Sequence, residues 1–195
     1  KSTRELAALA REVLARRGDE RERRPWQIRL ARACARLDEL DAAVSAYQEA
    51  LRGGPGDAIL EDELVAVYER QSAHAPLIAI FERRLDFATA DAALALRLRL
   101  ADLYEATDGE PARALDHLER VLELVPHHRA ALDRALALAS RVGDATRTRA
   151  LLDRALALPL ESAERAARLE QRGLLANEAP EHADQSIADL REAIA

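Results

Sequence analysis

Cys34, the one cysteine of the chain, is the residue type best suited to covalent chemistry. A cysteine acts as a nucleophile when a neighbouring base or cation lowers the pKa of its thiol. No histidine lies near Cys34 in the sequence, and the surrounding pattern predicts a position packed between two helices. We therefore interpret Cys34 as a small buried hydrophobic residue. A single cysteine also excludes an internal disulfide, which fits a reducing compartment.

Histidines are the second residue type that could carry chemistry, as metal ligands, and the chain has five: His74, His117, His127, His128 and His182. The adjacent pair at 127–128 is predicted to point apart at a helix start, and His117 lies on a different helix. No His-Glu-x-x-His spacing, which places two ligands and a base on one helix face, accompanies them. The sequence predicts solvent-exposed histidines in loops or on helix surfaces, and no metal site.

Two short segments resemble phosphate-binding motifs in composition. The run from Gly53 to Asp57 is glycine-rich, but it lacks the Lys-Ser/Thr pair of a phosphate-binding loop, and no strand precedes it. The run from Asp19 to Arg24 alternates in sign, which is typical of a solvated connector rather than of a nucleic-acid-binding patch. We predict a turn at the first segment and a connector at the second. Trp26, the single tryptophan, either fills the junction with the first helix or is an exposed binding anchor.

The elements that position these side chains follow an internal repeat. One row recurs at steps of 34, 37, 34 and 38 residues, each member at the centre of a helix-patterned segment: Tyr47, Phe81, Leu118, Leu152 and Leu190. Two further rows keep a similar step: Ala43, Leu77, Ala114, Thr148 and Ser186, and upstream of them Ala31, Val65, Ala101, Leu136 and Gly173. A period near 34 with two helices per unit is typical of a helical solenoid, in which each unit buries its apolar face by stacking on its neighbours.

The pattern predicts an all-α protein, because no stretch shows the two-residue alternation of a strand. An amphipathic helix over 3–17 and a charged connector over 18–24 come first, and Pro25 is predicted to begin the next helix. Five helix pairs follow, at 25–37 and 40–52, 58–71 and 75–88, 91–106 and 110–124, 128–141 and 144–157, and 161–175 and 180–194. Asp108 and Asp144 are predicted to cap the helices that follow them.

These helix pairs resemble tetratricopeptide repeats (TPRs). The TPR signature has a Leu and a small residue in the first helix, with a Tyr three residues on. The second helix carries Ala, an aromatic and Ala, and a Pro closes the unit. Residues 24–57 match in Leu30, Ala31, Ala43, Tyr47, Ala50 and Pro55, with Cys34 in the Tyr position. The unit that ends at Pro126 matches in Leu100, Ala101, Tyr104, Ala114, Leu118 and Val121, and 58–90 matches in Leu64, Val65, Tyr68, Leu77 and Phe81. The last two units match through Leu136, Thr148, Leu152, Ala155 and Pro159, and through Gly173, Leu190 and Ala193.

The resemblance covers about 25–195 and implies a right-handed α-solenoid of antiparallel helix pairs, with about five TPR-like repeats after an N-terminal helix. We divide the chain into an N-terminal helix and connector over 1–24, which form a half-repeat or cap, and a repeat array over 25–195. The units of the array lie at about 24–57, 58–90, 91–128, 129–160 and 161–195. The known work of the family, by resemblance, is to bind peptides or partner proteins and to assemble complexes. Enzymatic activity is not part of it.

By the same resemblance, the first helices of the units line a concave groove. Ten polar residues are expected to face it and to contact a partner: Arg32, Arg36, Asp62, Glu69, Arg70, Asp102, Glu105, Asp133, Arg141 and Asn177. Arg32 and Arg36 lie four residues apart on one helix face and, with Arg70, could form a cationic patch for a carboxylate or an acidic segment. Alternatively, these arginines pair with Asp62, Glu69 or water. The Lys/Asn clamp that some family members use for a C-terminal carboxylate is absent.

Charge and composition narrow the classes of partner. The chain has 35 acidic and 29 basic residues, a net charge of −6, and neither half has the basic excess that nucleic-acid binding requires. No run approaches the roughly 20 apolar residues of a membrane span, and no signal peptide is visible, so we expect a cytoplasmic protein. All bases except Lys1 are arginines, which suggests a GC-rich bacterial genome or a role in solubility. The lack of Met and the unfinished C-terminal helix pattern suggest a fragment of a longer protein.

The sequence therefore predicts a non-catalytic scaffold that binds a peptide or a partner protein on a solenoid surface, with no cofactor. The alternative is a self-assembling or structural segment of a larger multidomain protein. It would associate through its repeat ends, where Ala188, Ile194 and Ala195 are expected to leave apolar surface exposed. A third possibility, an enzyme or a regulatory arm of one, requires clustered titratable groups in a closed pocket, and the sequence offers none.

Overall fold

Helices account for all the regular secondary structure in the computed structural model, which describes residues 2–16, 19–54, 56–107, 109–175 and 183–194. Their order is α1 (Thr3–Ala15), α2 (Glu20–Arg36), α3 (Leu40–Arg52), α4 (Ala58–Arg70), α5 (His74–Leu85), α6 (Ala90–Ala106), α7 (Pro111–Leu124), α8 (Arg129–Val142), α9 (Ala145–Leu156), α10 (Ser162–Leu174) and α11 (Ala183–Ile194). No strand occurs in the described ranges, so the predicted all-α class is confirmed. None of the helices described is both long and apolar enough to cross a lipid bilayer.

The start of α2 differs most from the prediction. The helix begins at Glu20, and Pro25 lies inside it rather than at its first position. Glutamate and arginine are good helix formers. Pro25 is the sixth residue of the helix, so its ring removes one backbone hydrogen bond and crowds the carbonyl of Arg21, at a local cost in stability. Arg24 is also held from outside the helix, since its Nε donates to the carbonyl of Ala50 at 3.0 Å and its Nη2 donates to Asp57 at 2.8 Å. The predicted charged connector is therefore mostly helix.

Side-chain caps mark where several helices begin. Asp57 precedes α4 and accepts the backbone N–H of Leu60 at 3.1 Å. Asp144 precedes α9 and accepts the N–H of Arg147 at 2.9 Å, as predicted. Each carboxylate satisfies a backbone donor that has no partner within its helix. The other predicted cap, Asp108, lies outside the described residues.

The glycine-rich segment between α3 and α4 is a turn, as predicted, and glycine is needed at two of its positions. A Cβ on Gly54 would lie 2.5 Å from Nε of Arg24, whose guanidinium is held in place by the two hydrogen bonds described above. Gly56 has φ +87°, in the left-handed region that glycine adopts at little cost. The glycines therefore serve the backbone turn and the Arg24 contact.

The chain divides into two compact units, Lys1–Ala79 and Ile80–Ala195, and the division falls inside α5. Within the first unit, α1 packs on α2, α2 on α3, and α3 on α4. Within the second, each helix from α6 to α10 packs on the next helix in the sequence. Packing between consecutive helices is the arrangement expected of a helical repeat.

The three predicted rows form the cores of these units. In the first row, Tyr47, Phe81, Leu118 and Leu152 are at most 5% exposed, while Leu190 is half-buried. The members of the other rows whose side chains are described are all buried: Ala43, Leu77, Ala114 and Thr148, and Ala31, Val65, Ala101, Leu136 and Gly173. Many of them are small, and small side chains let neighbouring helix axes approach closely. The predicted register is therefore confirmed.

Candidate protein-interaction site

A concavity of about 500 Å³ lies on the surface of the first unit. It is lined by Arg32, Ala35 and Arg36 from α2, Tyr47 from α3 and Glu63 from α4. Arg32 and Arg36 both line it, as their four-residue spacing on one helix face predicts. The volume lies within the range of ligand-binding pockets, but three of the five lining side chains are charged. The concavity therefore suits a polar or charged group.

One wall of the concavity is a hydrogen-bonded triad of Arg32, Glu63 and Tyr47. Arg32 donates to Glu63 from Nε at 2.8 Å and from Nη2 at 2.8 Å, in a bidentate pair. The Tyr47 hydroxyl donates to the same carboxylate at 3.0 Å. Burial, with the nearby Glu63 charge, raises the pKa of Tyr47, so the phenol stays protonated. The triad fixes the wall and leaves the Arg32 charge neutralised by Glu63.

Arg36 is the charge in the concavity that is not neutralised. It lies one helical turn beyond Arg32 and is exposed. Its guanidinium has no hydrogen bond or ion pair with any residue that the structure describes. An arginine offers five N–H donors in a planar arrangement that matches a carboxylate or phosphate. The concavity therefore presents one available cationic group beside a rigid wall.

The predicted residues on α4 lie outside the lining of this concavity. Arg70 donates from Nη1 to the carbonyl of Ala35 at 2.8 Å and from Nη2 to Asp38 at 2.7 Å. It joins the end of α2 to α4, so its charge is already paired. Asp62 and Glu69 are exposed on α4. Of the predicted patch of three arginines, the structure brings Arg32 and Arg36 together in one concavity and gives Arg70 a separate partner.

The predicted site residues of the second unit are mostly engaged in ion pairs between first helices. Arg134 on α8 donates to Asp102 at 2.7 Å and to Glu105 at 2.5 Å, both on α6. Arg168 on α10 donates to Asp133 on α8 at 2.7 Å. These pairs tie successive first helices together, although each one is partly exposed and contributes little alone. Two predicted residues of the second unit are not part of these pairs. Arg141 is exposed and has no ion pair among the described residues, and Asn177 lies outside the described residues.

His117 is a correction to the sequence analysis, which predicted an exposed histidine. It is 9% exposed, and its ring stacks on Tyr104 with the ring centroids 5.5 Å apart. Its Nε2 lies 3.2 Å from Glu82, which also accepts from the Tyr104 hydroxyl at 3.1 Å. An ionised carboxylate only accepts, so Nε2 carries the proton and the buried Nδ1 has no partner in the described chain. The sequence could have indicated this burial, because residue 117 lies beside Ala114 and Leu118 on the buried face of α7.

The burial of His117 predicts a pH dependence of stability. Burial lowers the pKa of this imidazole, with Glu82 acting in the opposite direction. The folded state therefore binds the proton less readily than the unfolded chain, whose histidine pKa is about 6.5. We expect the free energy of unfolding to fall as pH is lowered through about 6.5, with a slope of at most about 1.4 kcal/mol per pH unit from this residue.

The measurement is urea unfolding at several pH values between neutrality and the range where carboxylates titrate. His117→Gln retains a donor for Glu82 and should show a shallower slope than the native chain. Equal slopes in the two proteins would mean that His117 is not held neutral by burial.

The other side chains that the sequence analysis considered for chemistry have structural roles. His128 caps α8, where its Nδ1 accepts the N–H of Ala131 at 3.2 Å. Cys34 is fully buried, and burial raises the pKa of its thiol, which agrees with the interpretation of a packed side chain. Trp26 is half-buried, with the guanidinium carbon of Arg29 4.6 Å from its ring centre. Within the described ranges, no group of three or more histidine, cysteine or acidic side chains could hold a metal ion.

The apolar surface predicted on the last helix is present where the structure describes it. Ile194 is 87% exposed, and Ala188 is exposed as well. Ala195 and His182 lie outside the described residues.

The chain's own structure defines its class. Helices pack in sequence order, keep a step near 34 residues in the buried rows, and carry charged side chains in a surface concavity. This is a TPR-like helical-repeat protein.

No protein-family model matches the chain, and no curated protein matches it. Among solved structures it is similar to the MamA protein, with 16% identity over 88% of this chain and 90% of that chain and a TM-score of 0.45. It is similar to YrrB, described as a TPR protein with an unusual peptide-binding site, with 19% identity over 87% and 84% and a TM-score of 0.46. It is also similar to TTC0263, a thermophilic TPR protein of Thermus thermophilus, with 17% identity over 88% and 90% and a TM-score of 0.35. Because all three TM-scores are below 0.5, the class rests on the helix packing of this chain.

Proposed function

We propose that this protein is a non-catalytic interaction scaffold that binds an acidic side chain of a partner peptide or protein in the concavity of its first unit. The observation that carries this proposal is the difference in ion pairing between the two arginines that line the concavity. Arg32 is neutralised by Glu63, whereas Arg36 has no ion pair with any described residue. A partner carboxylate on Arg36 would complete the charge balance of the concavity.

The proposed mechanism is binding to a surface that is already ordered. The α2 backbone and the Arg32–Glu63–Tyr47 triad hold the concavity, so a partner need order little beyond the Arg36 side chain. Less of the binding free energy is then lost to ordering the receptor. The triad also keeps Glu63 from pairing with Arg36, because both oxygens of that carboxylate already accept hydrogen bonds from Arg32 and Tyr47.

Peptide display on the purified protein tests the proposal. We expect the selected peptides to share an Asp or Glu at one position, and we expect Arg36→Gln to lose that preference. For a selected peptide, Arg36→Gln should weaken binding by about 10- to 100-fold, because a hydrogen bond to a charged group contributes about 1.5–3 kcal/mol. Calorimetric titration measures this change, and the same peptide with Gln in place of the acid should show no further loss on Arg36→Gln.

Arg21→Gln is the matched control, since Arg21 is another exposed arginine on α2 that lies outside the concavity. It should leave the selected motif and the affinity unchanged. The proposal is wrong if selection yields no acidic position, or if Arg36→Gln and Arg21→Gln affect binding equally.

The proposal also includes the residues of the second unit that were predicted to contact a partner. Arg141 is the member of that set with an available charge, while Asp102, Glu105 and Asp133 already pair with arginines. A cytoplasmic location and self-association through the repeat ends stay predictions.

A further inference from the structure

The wall of the concavity in the first unit carries a fixed negative charge. Glu63 lines the concavity from α4, and its two carboxylate oxygens accept from Arg32 and from the Tyr47 hydroxyl. Tyr47 is 3% exposed, so its hydroxyl would be left buried without this acceptor if Glu63 turned away. The Glu63 carboxylate is therefore held in the wall, and it does not give way to a second anion without a cost.

The internal repeat shows that the sign of this charge is not required by the packing of the helices. Counted from the buried row that begins at Ala31, Asp102 in the second unit occupies the position of Arg32. By the same count, Arg134 occupies the position of Glu63. Asp102 and Arg134 pair at 2.7 Å between successive first helices, as Arg32 and Glu63 do, but with the charges exchanged. The acid in the wall is therefore a property of this concavity.

Arg36 gives that acid a consequence for binding. By the same count, Ala106 occupies the position of Arg36 in the second unit, so the pair there has no arginine at this position. In the first unit, Arg36 lines the concavity together with the Arg32–Glu63 pair and has no ion pair with any described residue. The charged side chains of the lining are thus two cations and one anion.

A ligand with a single negative charge balances this lining, whereas a ligand with two negative charges exceeds it. A carboxylate carries one charge. A phosphate monoester carries about 1.5 to 2 negative charges at neutral pH, because its second pKa is about 6. The excess charge of a phosphate would lie near the Glu63 carboxylate, and like charges at an interface oppose binding. Glu63 is partly buried, so salt screens this repulsion less than it would on an open surface.

We propose that the concavity selects a carboxylate over a phosphate monoester, and that Glu63 is the residue that determines this selectivity. The inference rests on the function proposed above, in which an acidic side chain of a partner pairs with Arg36. Arg36 supplies the attraction, and Glu63 limits the ligand to one negative charge. A phosphorylated serine or threonine in the partner therefore does not replace the acidic residue at that position.

The test uses three versions of one peptide from the display selection, with the selected acid, phosphoserine or glutamine at the acidic position. Calorimetric titration at about pH 7.5 keeps the phosphate mostly doubly charged. We expect the native chain to bind the phosphoserine version about tenfold or more weakly than the acidic version. Glu63→Gln removes the wall charge and keeps an oxygen that accepts from Arg32. This variant should bind the phosphoserine version at least as tightly as the acidic version.

Glu49→Gln is the matched control, because Glu49 is also an acid that pairs with an arginine in the first unit and lies outside the concavity. It removes the same charge from the chain as Glu63→Gln and should leave the ratio of the two affinities unchanged. Circular dichroism shows whether both variants keep the native helix content. The ratio measured on the native chain tests the selectivity without any variant.

The proposed function and the proposed selectivity fail in different ways. A selection without an acidic position, or binding that Arg36→Gln does not weaken, overturns the function and the selectivity with it. If binding depends on Arg36 but the native chain binds the phosphoserine version as tightly as the acidic version, the function stands and the selectivity is wrong. The selectivity is also wrong if Glu63→Gln leaves the native ratio in place, or if Glu49→Gln changes that ratio equally.

Discussion

Replacing Asp189 by alanine is expected to lower the free energy of unfolding by about 3–5 kcal/mol. Asp189 is 1% exposed on α11, and both its carboxylate oxygens accept from Arg172 on α10, each at 2.7 Å. Removing the carboxylate leaves a largely buried guanidinium without its main partner, since the Arg172 side chain is 15% exposed. Breaking such a pair from one side costs far more than the intact pair contributes.

Asp153→Ala is the matched control, because Asp153 on α9 accepts from the same guanidinium at 2.5 Å but is 54% exposed. A solvent-exposed pair contributes about 0–1 kcal/mol, so this variant should unfold at nearly the native urea concentration. Urea unfolding followed by circular dichroism measures both variants. Hydrogen exchange should show the loss for Asp189→Ala in α10 and α11. Equal and small losses for the two variants would mean that α11 is not held by Asp189.

The second large effect is expected at Leu118, with Leu190 as its internal comparison. Both occupy the same position of the repeat, but Leu118 is 0% exposed and Leu190 is half-buried. Leu118→Ala should cost about 2–5 kcal/mol, because it removes apolar contacts and leaves a cavity between packed helices. Leu190→Ala should cost clearly less, since part of that side chain already contacts water.

Urea unfolding of the two alanine variants under the same conditions gives this difference directly. A larger cost at Leu190 than at Leu118 would show that α11 is covered as completely as α7.

The helices and the buried rows could be predicted from the sequence because both depend on local periodicity. Tyr47, Leu118 and Leu152 recur with the repeat, and an apolar residue at the centre of an amphipathic helix faces its neighbours. The start of α2 could not be predicted in this way. Arg24 is held there by Ala50 and Asp57, which lie in a later helix and turn.

The candidate site was only partly predictable for the same reason. The spacing of Arg32 and Arg36 placed both on one face, but it gave no means of telling the paired arginine from the available one. That difference depends on Glu63, which lies 31 residues after Arg32 and reaches it through helix packing. His117 was mispredicted because its residue type is usually exposed, although its position lies on the buried face of α7.

The most direct test of the proposed function is to observe the side-chain N–H groups of the arginines by NMR while an acidic peptide from the display selection is added. We predict that the Arg36 Nε–H resonance shifts with peptide concentration and saturates, while that of Arg32 changes little because Glu63 keeps it. A peptide that binds and leaves the Arg36 resonance in place would contradict the account.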